Sequence, residues 1–176
     1  FSDFVATSCI RNPEMLADMV ANGDLEKQYP ADEYNTRLKE SLSQIAETIK
    51  RDKSQNLDST IKHTLRVLRQ YEMMRIAFRD LSGLAGLSDT MTELSVFADR
   101  CLKWSLSVLF QHQCEEFGPP KKSDGSIQQL VIIGMGKLGA RELNFSSDID
   151  LIFAYPDTGT ASGRPKSVSG EEFFVR

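Results

Sequence analysis

The sequence predicts an α+β fold that is mostly helical overall, with a helical lobe over residues 1–120 and a strand-containing region over residues 127–176. Two observations predict this division. Apolar residues recur at helical spacing through the first two thirds of the chain. Two short apolar runs then flank a glycine-rich turn, which indicates the order strand, turn, helix, strand. We therefore expect a helical bundle followed by a small sheet region.

The composition is that of a globular protein. The chain has 176 residues, of which 40% are hydrophobic and 26% charged, enough for one ordinary domain or two small lobes. A net charge of -4 disfavours a general nucleic-acid binder. No apolar run approaches the ~20 residues that span a bilayer, and no signal peptide is visible. Cys9, Cys101 and Cys114 are odd in number and lack metal-ligand spacing, which indicates reduced thiols. We expect a cytoplasmic protein that binds neither nucleic acid nor membrane.

The first two predicted helices lie within the first fifty residues. Asn12 is a favourable N-cap, Pro13 suits the first helical position, and Gly23 suits the end of the first helix. The second helix is expected to begin near Asp32 and to end before the polar stretch from Arg51 to Asn56. Its apolar residues recur at helical spacing and are Tyr34, Leu38, Leu42, Ile45 and Ile49.

Two longer helices are predicted to follow. Asp58 or Ser59 is the expected N-cap of the third helix, and the Ser82-Gly83 step is its expected end. Its predicted buried face contains Ile61, Leu65, Leu68 and Ile76. The fourth helix is expected to begin near Ser88 or Asp89 and to end at Gly118. Its predicted buried face contains Leu94, Phe97, Leu102, Leu106 and Leu109.

The pattern changes after the polar linker Lys121–Ser126. The apolar run from Leu130 to Ile133 is typical of a strand buried on both faces. We expect about two turns of helix near Leu138 to Leu143, and then a second strand from Asp148 to Ala154. The stretch from Tyr155 to Gly170 is rich in Gly, Ser, Thr and Pro, which predicts a loop. The chain begins at Phe1 rather than a methionine and stops at apolar residues typical of the opening of another element, so it is expected to be a fragment of a longer protein. Two strands make a marginal sheet, and the missing sequence is expected to add more.

The glycine turn has the chemistry of a phosphate site. Gly134, Gly136 and Gly139 form a Gly-x-Gly-x-x-Gly pattern, and Lys137 adds a positive charge. A Rossmann fold expects its acidic residue at the end of the second strand, about 20 residues on. Here the helix is too short for a crossover and the acids come at the start of that strand. The sequence Gly-Lys-Leu also differs from the Walker Gly-Lys-Ser/Thr. A tight turn without any ligand is the alternative interpretation.

The two aspartates that follow have the chemistry of a metal site. Asp148 and Asp150 stand at i and i+2, so on a strand their side chains point to the same face, while Ile149, Leu151 and Phe153 point into the core. Neighbouring carboxylates repel each other unless a cation lies between them. Oxygen ligands favour Mg²⁺ or Mn²⁺, and such ions catalyse phosphoryl and nucleotidyl transfer.

These residues together resemble a known family. The Gly-x-Gly-Lys turn, the short helix and the Ser-Asp-x-Asp sequence resemble the DNA polymerase β nucleotidyltransferase superfamily. The longer string GMGKLGARELNFSSDIDLIF is similar to the bifunctional glutamine synthetase adenylyltransferase/adenylyl-removing enzymes of bacteria. Its NFSSDID portion resembles their N-terminal, adenylyl-removing domain. Ala140 is a departure, because the family often has a second glycine there. The resemblance implies that residues 127–176 begin a polymerase β-like palm that is truncated in this chain.

The resemblance also implies a reaction and its participants. Inorganic phosphate attacks the AMP that is joined to a tyrosine of glutamine synthetase, which releases ADP and regulates nitrogen assimilation. Glutamine synthetase and a PII signal protein are the implied partners. Asp148 and Asp150 would hold Mg²⁺ or Mn²⁺. The implied contacts to the AMP, ADP and phosphate groups come from Gly134, Gly136, Lys137, Gly139 and Ser147.

A third carboxylate is expected in this superfamily on a later strand. Asp157, Glu171 and Glu172 follow the pair, but none of them is placed on a predicted strand. Glu142, which precedes the pair, is a further implied member of the site that could equally brace the short helix. We therefore expect the third carboxylate beyond Arg176, and the isolated chain to be inactive or nearly so.

Several interpretations stay open on the sequence alone. The chain could transfer nucleotides to a different protein or small molecule, or it could be a non-catalytic nucleotide-binding regulatory module. Arginines of the third helix could form a basic face that attracts phosphate or an acidic partner, although a solvated face with local salt bridges is favoured. These arginines are Arg66, Arg69, Arg75 and Arg79.

Overall fold

The fold, described by a computed structural model over residues 3–40, 56–162 and 167–176, is α+β and mostly helical. This confirms the predicted fold class at that level. The helices are α1 (Asp3–Arg11), α2 (Pro13–Ala21), α3 (helical over residues 31–40), α4 (Leu57–Leu81), α5 (Leu87–Phe117), α6 (Gly136–Gly139) and α7 (Gly170–Val175). The strands are β1 (Pro120–Lys121), β2 (Val131–Gly134), β3 (Leu151–Ala154), β4 (Thr160–Ser162) and β5 (Ser167–Ser169).

The chain divides into two compact units. The first consists of Phe1–Cys101 together with Arg141–Asp148, and the second of Leu102–Ala140 together with Ile149–Arg176. Within the described residues, no helix is both long enough and apolar enough to span a membrane.

The first predicted helix is confirmed as α2, which begins at Pro13 and ends two residues before Gly23, a glycine with φ +65°. Asn12 occupies the N-cap position, but its side chain does not cap α2 and donates instead to the Ser8 carbonyl oxygen at 3.2 Å. Helix α1 was not predicted. Ile10, one of its apolar residues, is 80% exposed.

The second predicted helix is confirmed in its first part, where Tyr34 and Leu38 are buried in α3. Leu42, Ile45 and Ile49 lie outside the described residues, as does the polar stretch from residue 51 to residue 55.

The N-cap of helix α4 lies two residues before Asp58 and three before Ser59, the predicted caps. Asn56 is the N-cap, and its side chain accepts a hydrogen bond from the Asp58 amide at 2.9 Å. The prediction of Asp58 or Ser59 was therefore wrong. The carboxylate of Asp58 instead pairs with Lys62 one turn further on, at 2.7 Å. The predicted end is confirmed, because Ser82 is the C-cap and Gly83 has φ +70°.

Helix α5 confirms the fourth predicted helix, which ends immediately before Gly118, a glycine with φ +76°. Leu94 and Phe97 are buried as expected, whereas Leu109 is 43% exposed and does not belong to a buried face. Trp104 is buried. Burial raises the pKa of Cys101 to about 12, so this thiol stays protonated at neutral pH.

A buried ion network lies in the core of the first unit. Arg75 has no exposed surface, and it donates to Glu72 at 2.8 Å and also to Glu93. Arg79 lies 3.4 Å from Glu93, and Arg37 donates to Glu72 at 2.8 Å. The predicted local salt bridges are present at Arg75 and Arg79, two of the four arginines of α4, but both side chains are buried, so the predicted solvated face was wrong for them.

Asp24 is a further buried carboxylate of the first unit. Its burial by itself would raise its pKa, but hydrogen bonds from Tyr29 and Tyr71 and the charges of Arg37 and Lys27 outweigh that effect. The pKa of Asp24 consequently lies below its ordinary value of 3.8.

The core of the second unit is built on a three-stranded antiparallel sheet in the order β1-β4-β5. Ala161 of β4 and Val168 of β5 face inward and pack with Phe117 and Phe173. The prediction of a loop from Tyr155 to Gly170 was therefore wrong. These strands have three residues each and a single inward side chain, so their local sequence carries little strand signal.

Strands β2 and β3 form a separate antiparallel ribbon, in which Val131 pairs with Ala154 and Gly134 pairs with Leu151. Antiparallel pairing is inconsistent with a Rossmann βαβ unit, whose strands are parallel. The predicted burial of the first strand on both faces was wrong, because Val131 is 53% exposed. Phe153 of the second strand was expected to point into the core, but it is 58% exposed. Within the described residues the ribbon has two strands, and neither of its faces is fully covered.

Candidate functional site

The glycine turn connects β2 to α6 and is fixed at both ends by backbone hydrogen bonds. The Met135 amide donates to the Asp150 carbonyl oxygen at 2.9 Å, which continues the pairing of the ribbon past Gly134. The Gly139 amide donates to the Met135 carbonyl oxygen at 3.1 Å. Gly136 has φ +51°, a left-handed conformation that glycine adopts at little cost. The turn predicted from the glycine spacing is therefore present.

Gly139 is required by a close approach of the backbone. A Cβ atom at this position would lie 2.5 Å from the Gly134 carbonyl oxygen, well inside van der Waals contact. Ala140, where the family often has glycine, has φ -79° and needs no special conformation. Its amide donates to the Gly136 carbonyl oxygen at 3.0 Å, so the departure from the family pattern leaves the turn intact.

Helix α6 is shorter than predicted. It consists of Gly136–Gly139, and the expected two turns near Leu138 to Leu143 were therefore wrong. Arg141 follows with φ +60°, the single non-glycine residue in a left-handed conformation among the described residues. Glu142 is exposed and lies beyond the helix that it was expected to brace.

The carboxylate of Asp150 lies beside the glycine turn. Its Oδ2 atom is 3.6 Å from the position that a Cβ on Gly136 would occupy, so the acid stands over the glycine backbone. Asp150 and Lys137 are both exposed. The first amides of α6 have no acceptor inside the helix and can donate to a phosphate. The antiparallel ribbon produces this proximity, because β2 leads into the turn and Asp150 directly precedes β3.

Both aspartates precede the strand on which they were expected. Strand β3 begins at Leu151, so Asp148 and Asp150 lie in the extended segment before it, and Ile149 is 41% exposed. Exposed carboxylate oxygens are the ligands that Mg²⁺ and Mn²⁺ prefer, so the donor types fit these ions.

The 141–148 segment is anchored in the first unit by Leu143. Its side chain is 4% exposed, and its amide donates to the Ser95 hydroxyl at 3.4 Å. Ser95 is itself buried and donates to the Met91 carbonyl oxygen at 2.8 Å. Sequence reasoning did not single out Ser95, because nothing local to it indicates a partner 48 residues away.

Asn144 organises the residues that lead into Asp148. Its Oδ1 atom accepts hydrogen bonds from the Ser146 amide at 3.1 Å and from the Ser147 hydroxyl at 2.8 Å. The Asn144 amide also donates to the Ser147 hydroxyl at 3.1 Å. Sequence reasoning missed this role, although an Asn whose side chain can accept from the amide two residues on is a recognisable turn signal. The Ser147 hydroxyl is thus engaged locally, and its contact with phosphate stays a prediction.

In the described part of the chain, no third carboxylate lies together with Asp148 and Asp150. Among those residues, no group of three His, Cys, Asp or Glu side chains has metal-site geometry. Asp157 accepts hydrogen bonds from the Ser123 amide and hydroxyl, which hold its pKa below its ordinary value. Glu172 pairs with Arg176 at 2.7 Å. Both acids therefore have local partners.

Comparison with known proteins identifies similar sequences over the whole chain. The family model described as glutamate-ammonia ligase adenylyltransferase matches residues 1–176. A relative from Nitrosococcus oceani is 43% identical over 99% of this chain, and one from Pseudomonas aeruginosa is 39% identical over 99%. Both are named bifunctional glutamine synthetase adenylyltransferase/adenylyl-removing enzyme. The chain spans 17% of the length of each of these relatives. The chain belongs to the glutamate-ammonia ligase adenylyltransferase family.

Proposed function

We propose that this chain supplies a helical lobe, residues 1–120, and the start of a polymerase β-like catalytic core, residues 127–176, to an enzyme that removes AMP from adenylylated glutamine synthetase. The observation that carries the proposal is the position of the Asp150 carboxylate over the Gly136 backbone. Both residues lie in the part of the chain that the family model matches. That position supports the proposal, because a carboxylate suited to a metal ion lies beside backbone amides suited to phosphate.

The chemistry of AMP removal assigns a role to each residue. The amides that open α6 and the Lys137 ammonium bind and orient phosphate oxygens. Asp148 and Asp150 would hold Mg²⁺ or Mn²⁺, which neutralises developing charge on the phosphates when bound. A phosphate oxygen forms a bond to the phosphorus of AMP, the bond to the tyrosine oxygen breaks, and the products are ADP and free tyrosine. Asn144 positions Ser147 beside Asp148 for a further phosphate contact.

The regulatory setting is part of the same proposal. Glutamine synthetase is the protein named in the relatives' description, and we propose it as the substrate of the protein to which this chain contributes. A PII signal protein is the proposed regulatory partner, by family resemblance, and the cytoplasm the proposed compartment.

A non-catalytic nucleotide-binding module is the second candidate. It is favoured by one observation, that the described residues do not assemble a third acidic or histidine ligand with the pair. Transfer to a different acceptor would use the same residues. Metal and activity measurements distinguish the candidates.

The metal experiment measures Mn²⁺ binding to the 176-residue chain by calorimetry. We expect binding to be lost in the double variant Asp148→Asn/Asp150→Asn and kept in Asp157→Asn, whose carboxylate has local partners. Equal Mn²⁺ binding by the wild-type chain and the double variant would exclude the catalytic proposal.

The activity experiment places this chain in the matching segment of the Nitrosococcus oceani relative, because the isolated chain is expected to be inactive. Release of ADP from adenylylated glutamine synthetase and phosphate is then measured. The double variant should lose activity by about 100-fold or more, since metal ions contribute several kcal/mol to such reactions. Undiminished ADP release by the double variant would refute the roles assigned to the aspartates, and robust release by the isolated chain would refute the need for a carboxylate beyond Arg176.

A further inference from the structure

The arginines of α4 fall into two classes that the sequence did not distinguish. Arg75 and Arg79 are buried and are neutralised by Glu72 and Glu93. Arg66 and Arg69, one to three turns earlier, are exposed. Within the described residues, neither of them takes part in an ion pair or a side-chain hydrogen bond. The exposed arginines therefore need a different explanation from the buried ones.

Arg66 and Arg69 line a groove between α4 and α1. The groove has a volume of about 480 Å³, within the range of small-molecule sites. Helix α1 supplies a third exposed arginine, Arg11, from the other side. The hydrogen-bonding groups that line the groove beside the arginines belong to Thr7, Ser8 and Gln70.

The groove is positively charged and its walls are built from regular helix. Three guanidinium groups line it together with the single carboxylate of Asp3. Arg11 lies one turn after Thr7, and Gln70 lies one turn after Arg66, so each helix presents these groups on one face. Like charges that share a groove repel one another, and a bound anion removes that repulsion. Ser8 is 7% exposed, and its hydroxyl bonds to no other described residue, so it remains available to a ligand.

We propose that this groove binds a small phosphomonoester. Arginine guanidinium groups match tetrahedral phosphate through paired N–H donors, which lysine does not provide. Met73 gives the groove an apolar wall against which the organic part of the ligand packs. The proposal goes beyond AMP removal and does not depend on it, because every residue involved belongs to the first unit and none belongs to the glycine turn or the aspartate pair.

The test measures binding of glycerol 3-phosphate to the 176-residue chain by ¹⁵N NMR of the arginine side chains and by calorimetry. Glycerol and glycerate are the matched ligands, the first without a charge and the second with a carboxylate. We expect saturable binding of glycerol 3-phosphate with a Kd of about 1 mM or tighter, and much weaker binding of the other two.

Variants locate the binding site. Arg66→Gln and Arg69→Gln should each weaken glycerol 3-phosphate binding by about tenfold or more, since each removes charge-assisted hydrogen bonds. Arg66→Lys keeps the charge without the paired donors and should also weaken binding. Lys62→Gln is the matched control, because Lys62 is an exposed cation of the same helix outside the groove and pairs with Asp58.

Four results would overturn the proposal. They are no saturable binding of glycerol 3-phosphate, equal affinity for glycerate, equal losses in Arg66→Gln and Lys62→Gln, and loss of binding in Lys137→Gln with none in Arg66→Gln. The last would assign the phosphate to the glycine turn. Far-UV circular dichroism checks that each variant is folded, as expected for exposed side chains.

Discussion

Replacement of Arg75 by methionine tests whether the buried ion network stabilises the first unit. The guanidinium donates to the Glu72 carboxylate at 2.8 Å and to the Glu93 carboxylate. It also donates to the Lys27 carbonyl oxygen at 2.6 Å and to the Tyr34 hydroxyl at 2.8 Å. Methionine fills much of the same volume without any donor. The substitution therefore removes the charge and the hydrogen bonds while it leaves most of the packing.

The expected loss of stability in Arg75→Met depends on the partners that the Glu72 and Glu93 carboxylates retain. Glu72 keeps a hydrogen bond from Arg37 at 2.8 Å. Glu93 keeps, within the described residues, an ion pair with Arg79 at 3.4 Å that lacks hydrogen-bond geometry. Removal of one partner from a buried ion network costs about 3–5 kcal/mol, because a buried charge is left without compensation. That is a large fraction of a typical stability of about 5–15 kcal/mol.

Urea denaturation followed by far-UV circular dichroism measures the effect. Lys62→Met is the matched control on the same helix, where Lys62 and Asp58 are 66% and 61% exposed and form a surface pair at 2.7 Å. Its effect should be about 0.5 kcal/mol or less. In the double variant Arg75→Met/Glu93→Leu the cost should be smaller than the sum of the single costs. A free energy of unfolding of Arg75→Met within about 1 kcal/mol of the wild-type value would show that the network does not stabilise the fold by charge compensation.

Three further predictions concern single side chains. The pKa of Asp24 is lowered in the folded chain, so its ionised carboxylate contributes fully to stability above pH ~4. This contribution is lost as the pH falls below that value, and the free energies of unfolding of wild type and Asp24→Asn should therefore converge in acid. A constant difference down to pH ~2 would contradict this. Gly139→Ala should destabilise the turn by about 1–3 kcal/mol in urea denaturation, since its Cβ would meet the Gly134 carbonyl oxygen, and an unchanged midpoint would contradict the close approach. Ser95→Ala should accelerate hydrogen exchange of the Leu143 amide about tenfold or more, whereas unchanged exchange would mean that the hydroxyl does not hold the segment.

The helix ends were predictable from sequence because they depend on local chemistry. Gly23, Gly83 and Gly118 each adopt a left-handed φ at the end of a helix, a conformation that costs other residues more. The glycine turn was predictable for the same reason. The cap of α4 was predicted wrongly because Asn56 and Asp58 are both good N-cap residues; in the structure Asn56 caps the helix and Asp58 pairs with Lys62.

The features that sequence did not predict depend on partners far along the chain. Arg75 and Glu93 stand on different helices, and Ser95 meets Leu143 across 48 residues. Strands β4 and β5 exist because β4 pairs with β1, and their inward side chains complete a core around Phe117. Neither a three-residue strand nor an ion pair between helices has a periodic pattern that can be read locally.

The two aspartates of the candidate site are therefore supported in different ways. Asp150 is held by the ribbon, whose pairing continues through the Met135 amide into the glycine turn. Asp148 follows a segment that Asn144 organises and in which the Leu143 side chain is buried. A substitution that disturbs one of these two sets of contacts should leave the other in place. Loss of the buried Leu143 side chain should therefore weaken metal binding through Asp148, while the glycine turn keeps its hydrogen bonds. A site built in this way depends on residues outside its own motif, and for that reason the motif alone predicted its chemistry but not what holds it.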